Sequence, residues 1–266
     1  MFWAVKPRFG SNRISKIIVS LVSTSGAEHL IGIVIFPRAL YSTTKKRSVS
    51  ELVEVVWLGH ACFELKAKTK IVVIDPFKGI GLPEPKVKAD VVLCSHGHFD
   101  HNNVDAVRKK DSVVLEGFVG FKEVDGLTVK GIATFHDDAK GSARGQNSVH
   151  VIEVDGLRFC HLGDLGHDLT DSQVKEIGRV DVLLIPVGGH FTIDAVTATK
   201  IMDKIKPRIT VPMHYRVTGI DSRLTVLSEV DAFLRGKANV QRLDRPDFTV
   251  ENASLSKPAI TVLSLK

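Results

Sequence analysis

Residues 95 to 103 read Ser-His-Gly-His-Phe-Asp-His-Asn-Asn, so three imidazoles and a carboxylate fall within the short run from His96 to His101. Imidazole and carboxylate are the usual ligands of catalytic divalent ions, and their density here points to metal chemistry. Alternate residues at a strand end point to one side, so His96 and His98 can converge on one ion, while Gly97 lets the backbone turn tightly between them. Asp100 and His101 continue round the turn, and the four donors together could begin two adjacent sites. Further donors lie where later strands should end: His136 closes Ile132-Ala-Thr-Phe-His, Asp164 closes Phe159-Cys-His-Leu-Gly-Asp, and His214 closes Val211-Pro-Met-His. Taken singly, His136 and His214 also read as core histidines and Asp164 as a turn residue. A solvated histidine-rich loop would need no such distant partners.

The elements that must position these residues become legible from residue 52 onward. Short β-branched runs bounded by turn residues predict strands over Leu52 to Leu58, Cys62 to Leu65, Ile71 to Ile74 and Asp90 to Ser95, the last delivering the histidine run at its end. Strands are also expected over Val113 to Leu115, Leu127 to Ile132, Val149 to Val154, Leu157 to His161, Asp181 to Val187 and Ile209 to Pro212. Asp155-Gly156 is a hairpin signal, because it supplies the positive φ values of a two-residue turn. Helices are predicted over Asn103 to Lys110, Asp194 to Ile205 and Arg223 to Arg235. Meanders first and alternation later suggest an α+β chain of packed sheets with helices outside.

The run His96-x-His98-x-Asp100-His101, with His136, Gly163-Asp164 and His214 following in order, resembles the metallo-β-lactamase superfamily. Gly59-His60, His161-Leu-Gly-Asp164, Ile185-Pro-Val-Gly-Gly-His-Phe-Thr192 and Pro212-Met-His-Tyr215 look like its L-ascorbate-6-phosphate lactonase-like branch. The resemblance spans roughly residues 52 to 245 and implies an αββα sandwich, two mixed β-sheets with helices on their outer faces and metals between the sheet edges. It implies two divalent ions, Zn first with Mn or Fe as alternatives. His96, His98 and His136 would hold the first, Asp100, His101 and His214 the second, and Asp164 would bridge them together with a water or hydroxide. Asp100 and His190 are the candidates for acid–base work, His190 because Gly188-Gly189 leaves room beside it. His60 and His161 could orient a ligand or contact substrate, and Arg144 and Asn147 lie on a loop able to reach the site. His29, His150 and His167 have no motif context.

Departures from relatives narrow the activity. Asp164 stands where many zinc β-lactamases carry cysteine, and His98 where flavodiiron proteins carry glutamate. Only fifty positions separate Asp164 from His214, too few for the domain inserted in β-CASP nucleases. The expected activity is metal-dependent hydrolysis of a small ester, lactone or phosphoester. The nearest-looking relatives include a sugar-phosphate lactonase and, more remotely, an N-acylphosphatidylethanolamine phospholipase D. A phosphodiesterase or nuclease is the alternative, and a non-catalytic metal-binding module the third reading.

The whole chain agrees with this without adding an activity. Its 266 residues, 44% hydrophobic and 25% charged, are ordinary for a globular protein with a sizeable core. The net charge of +6 would suit a nucleic-acid partner, but residues 1 to 50 hold eight bases against Glu28 alone, so the remainder is close to neutral. Nucleic acid is therefore not the expected partner, and a small-molecule substrate is what the resemblance implies. Cys62, Cys94 and Cys160 are widely spaced within apolar runs, the pattern of reduced core thiols in a cytoplasmic protein. Residues 1 to 50 read as a basic, poorly ordered or spurious extension before a hydrolase domain over 51 to 266. Its apolar blocks Ile17 to Val22 and Leu30 to Phe36 are parted by polar turn formers, so no membrane span is expected. The resemblance allows a homo-oligomer.

Overall fold

In the computed structural model, residues 52–251 and 258–265 are described. The extension expected over residues 1 to 50 lies outside them. Strand β1 (Leu52–Gly59) alternates strictly, burying Val53, Val55 and Trp57 while the residues between are partly exposed, the pattern of a strand with one face on a core. β2 (Cys62–Lys66) and β3 (Ile71–Ile74) follow antiparallel, and β4 (Ala89–Cys94) and β5 (Arg108–Glu116) add in parallel. β13 (Asp247–Glu251) closes the other edge, giving the order β13-β1-β2-β3-β4-β5.

The second sheet holds eight strands. β6 (Gly120–Val124), β7 (Leu127–Phe135), β8 (Gln146–Val154) and β9 (Leu157–His161) form an antiparallel meander. β10 (Val182–Pro186), β11 (Ile209–Met213), β14 (Ala259–Val262) and β12 (Val240–Arg242) continue it in parallel. One apolar core joins Val53, Val55, Phe63 and Leu65 of the first sheet to Val129, Val149, Val151 and Phe159 of the second, so the two sheets face each other. A smaller core, with Cys62, Val73, Val92 and Cys94, lies on the other face of the first sheet under Val107, Leu224 and Leu227. Two mixed sheets with helices against them are the expected sandwich.

Four α-helices occur among the described residues: α1 (Val104–Val107), α2 (Asp171–Ile177), α3 (Ala195–Ile205) and α4 (Asp231–Leu234). α3 matches expectation, capped by the Asp194 carboxylate and burying Ala198, Ile201 and Ile205. The helix expected over Asn103 to Lys110 stops at Val107, because the charged run from Arg108 is drawn into β5 beside β4. The helix expected over Arg223 to Arg235 is only a 3₁₀ turn, Ser222–Leu224, and the short α4. Between them the chain spends its backbone on tertiary bonds: Ser228 N–H donates to Gly188 O, and Arg216 N–H donates to Ser228 O. The thiols of Cys62, Cys94 and Cys160 are buried and unpaired. No helix among the described residues is long and apolar enough to cross a membrane.

Candidate metal centre

The strands deliver their chemistry at one rim. His60 follows β1, Asp75 follows β3, the run from Ser95 follows β4, His136 follows β7, Asp164 follows β9 and His214 follows β11. His60, Asp75 and His214 all take left-handed backbone angles, with φ of 53°, 49° and 52°, conformations that are uncommon outside glycine and that cluster at functional sites. Two glycines make the approach possible. A Cβ at Gly163, where φ is +56°, would collide with Asn147 Oδ1 and Ser95, and a Cβ at Gly188 would collide with the carbonyl of His214.

The side chains converge at this rim in three overlapping groups. His96, His98 and His136 bring their donor atoms together in one group, and His96, His101 and Asp164 do so in another. Asp164 Oδ2 lies 3.1 Å from His136 Nε2, 3.2 Å from His101 Nε2, 3.2 Å from His214 Nε2 and 4.0 Å from His96 Nε2. The third group is His60, His101 and His214, so His60 stands where Asp100 was expected. Asp100 remains beside it, Oδ2 being 3.5 Å from His60 Nε2 and 3.9 Å from His101 Nε2.

A network beneath the histidines sets which nitrogen faces the rim. Asp75, fully buried, accepts from Ser95 N–H at 2.7 Å, from the Ser95 hydroxyl at 2.7 Å and from His101 Nδ1–H at 2.8 Å. With its proton committed to Asp75, the Ser95 hydroxyl can only accept from His96 Nδ1–H at 2.9 Å. One carboxylate thereby turns the Nε2 lone pairs of both His96 and His101 toward the site, as second-layer partners of metal ligands do. On the other side Asn147 accepts from Asp164 N–H at 2.9 Å and donates to Thr134 Oγ1 and Leu162 O, holding the Asp164 turn. His161 donates from Nε2 to Ala61 O and accepts at Nδ1 from Gly163 N–H, so both its nitrogens are spent on the frame.

The charge states separate into two kinds. Burial, reinforced by neighbouring imidazoles, lowers the His60 pKa to about 4 and that of His96 to about 3, and burial together with His136 also lowers that of His98. Burial would lower His101 as well, but the carboxylates of Asp164 and Asp75 hold it well above its ordinary value. His136 is raised against burial by its hydrogen bond with Asp164. Asp164, Asp75 and Asp100 are each held below the carboxylate range, burial being outweighed by His101 and His214 at Asp164, by His101 at Asp75, and by His60 and His101 at Asp100.

These residues fit a metal on an observation independent of motif order. His96 Nε2, His101 Nε2, Asp164 Oδ1 and both ring nitrogens of His60 are buried with no hydrogen-bond partner among the described residues. Each such group costs ~1–3 kcal/mol when left unsatisfied, and cations that take one lone pair from each residue, displacing a proton where an imidazole carries two, would satisfy the cluster. Above the cluster opens a cavity of about 520 Å³, lined by His98, Asp100, His136, Asp164 and His214 together with Phe99, Arg144, Phe191 and Arg223. His190 does not line it. That ring is exposed and packs edge-on against Phe191, whose side chain takes the cavity position instead.

Three residues of the site, Asp75, Asp137 and Arg223, lay outside every motif in the sequence, and Ser95 stood in the histidine run without a role of its own. In the sequence Asp75 precedes Pro76, a pair typical of a turn. Asp137 accepts from the N–H groups of Ala139, Gly141, Ala143 and Arg144, which ties the loop bearing Arg144 to the end of β7.

Sheets packed face to face, with a histidine–aspartate cluster at their rim, make a metal-binding architecture that can serve several reactions, and the class of metal-dependent hydrolase comes from the relatives. The family model described as "Beta-lactamase superfamily domain" matches residues 54–214. A UPF0173 metal-dependent hydrolase of Thermoplasma volcanium is 33% identical over 189 residues, covering 61% of this chain and 83% of that protein. A solved structure from Thermotoga maritima, described as a candidate Zn-dependent hydrolase of the metallo-β-lactamase superfamily, superposes with a TM-score of 0.68 at 36% identity, covering 80% of this chain and all (100%) of that one. The diiron β-hydroxylase CmlA of Streptomyces venezuelae shares the fold at a TM-score of 0.52 and 14% identity, covering 75% of this chain and 54% of that one, a likeness of fold alone. The chain belongs to the metallo-β-lactamase superfamily.

Proposed function

We propose that the chain is a dinuclear hydrolase, in which His96, His98 and His136 hold one divalent ion, His101 and His214 with Asp100 or His60 hold the other, and Asp164 bridges them. The observation that carries this reading is the position of one carboxylate oxygen, Asp164 Oδ2, within 3.2 Å of ring nitrogens from both sets. Divalent ions bound there would lower the pKa of a water and polarise the substrate oxygen. Oxygen and nitrogen donors without thiolate suit Zn, Mn or Fe.

The protein's own groups supply the rest. Asp75 and Ser95 hold two ligand tautomers, and Asn147 and Gly163 hold the Asp164 turn. Asp100 stays ionised at neutral pH, so it can accept a proton at the rim but has none to donate. Its partner His60 is neutral and enclosed, suited to fixing the carboxylate. The cavity is large enough for a small ester, lactone or phosphoester and has apolar walls. The lactonase-like branch remains part of the proposal, supported by the motif order alone.

Asp164→Ala should lose bound metal, read by elemental analysis, together with turnover on a panel of generic lactone, thioester and phosphodiester substrates. A fully active, metal-replete variant would refute the bridge. Turnover restricted to nucleic acid would favour the nuclease alternative.

A further inference from the structure

Two arginines line the cavity, each set against a phenylalanine that lines it too. The Arg144 guanidinium lies 5.5 Å from the ring centroid of Phe191, and that of Arg223 lies 5.3 Å from the ring centroid of Phe99. Arg223 is aimed by its neighbours: Nε donates to Asp221 at 2.8 Å and Nη2 to Gly79 O at 2.9 Å, leaving Nη1 without a partner among the described residues. Arg144 is half-buried, and its guanidinium meets no carboxylate or hydrogen-bond acceptor among them. Its loop is nonetheless pinned by four backbone hydrogen bonds to Asp137. The two residues come from distant parts of the chain, one after β7 and one after β11, so their meeting at one cavity is a product of the fold.

We infer that Arg144 and Arg223 form an oxyanion clamp, and that the substrate carries a phosphate or carboxylate group separate from the bond that is cleaved. A planar guanidinium with free N–H groups matches either anion, and stacking on an aromatic face leaves its edge available. Phe99, Phe191 and Leu224 supply an apolar wall for the body between the anion and the scissile bond. This deepens the hydrolase reading and rests on it for the word substrate, while the clamp itself stands on the arginines.

The test separates the two. Metal-free and metal-loaded protein are titrated with methyl phosphate and with acetate by calorimetry, and metal content is measured on the same preparations. Wild type should bind at least one of these anions in the metal-free state, and the binding should weaken with added NaCl. Arg144→Gln and Arg223→Gln should each raise Kd by at least ~10-fold, the loss of one hydrogen bond to a charged group. Arg144→Lys should recover part of the affinity. Tighter binding of methyl phosphate assigns a phosphorylated substrate, and tighter binding of acetate a carboxylated one. Absence of binding to metal-free wild type, or glutamine variants that bind as wild type does, would overturn the clamp. A wild type that takes up no metal would instead sink the hydrolase reading and leave the anion result standing.

Discussion

Asp75→Asn changes one atom at the bottom of the site and should be felt at its rim. The substitution keeps the size of a fully buried side chain, which accepts three hydrogen bonds, two from Ser95 and one from His101. With the amide oxygen turned to Ser95 N–H, the NH₂ group faces His101 Nδ1–H, donor against donor. His101 then has to move its proton to Nε2, the nitrogen 3.2 Å from Asp164, and the Ser95 hydroxyl is released to reverse its bond with His96. Both rearrangements remove lone pairs from the site. The loss of a charge-assisted hydrogen bond costs ~1.5–3 kcal/mol of stability, and disturbing a ligand's outer partner costs ~10–100-fold in metal affinity. Competition with a chromophoric chelator reads the affinity, and thermal melts of metal-free protein read the stability. An Asn variant that binds metal as tightly as wild type would refute the argument that Asp75 sets the tautomers.

Other outcomes follow from the same geometry. In metal-free protein the raised pKa values of His101 and His136 contribute stability that is full below the unfolded value of ~6.5 and lost as pH rises through the folded ones; the depressed Asp75, Asp100 and Asp164 contribute above ~4 and lose it as pH falls through theirs. Because metal displaces those imidazole protons, the gain in Tm on adding Zn should be larger near pH ~8 than near pH ~6; a gain independent of pH would mean the imidazoles are already neutral. Gly163→Ala should destabilise by ~1–3 kcal/mol in denaturant melts and impair metal uptake, since a Cβ there meets Asn147 and Ser95 and the backbone is left-handed. His190→Ala should leave the pH–rate profile where it is, its ring being exposed and outside the cavity; loss of one limb of the profile would restore its role as an acid.

The legible part of the fold was the part whose physics is local. Strict alternation in β1, Asp155-Gly156 between β8 and β9, and the Asp194 cap of α3 are short-range signals, and each element stands where they predict. The hairpin of β6 and β7 and helix α2 were not expected, although Asp125-Gly126, with φ values of 48° and 87°, and the Thr170–Gln173 capping box are local signals for them, because both lie in polar stretches that a hydrophobic pattern passes over. The end of α1 and the broken segment after residue 224 were decided by partners far away, β4 in one case and Gly188 in the other.

For the site, the sequence by itself determined most of the candidate donors, because ligand chemistry demands particular residue types and strand ends place them in order. Only the tertiary structure decided how they combine. It brought His60 into the group with His101 and His214, left His190 outside, and spent both nitrogens of His161 on Ala61 and Gly163. It also set Asp75 under two imidazoles and Arg223 over the cavity. Those roles depend on distances of a few ångströms between residues tens of positions apart, and no local pattern of residue types encodes such distances.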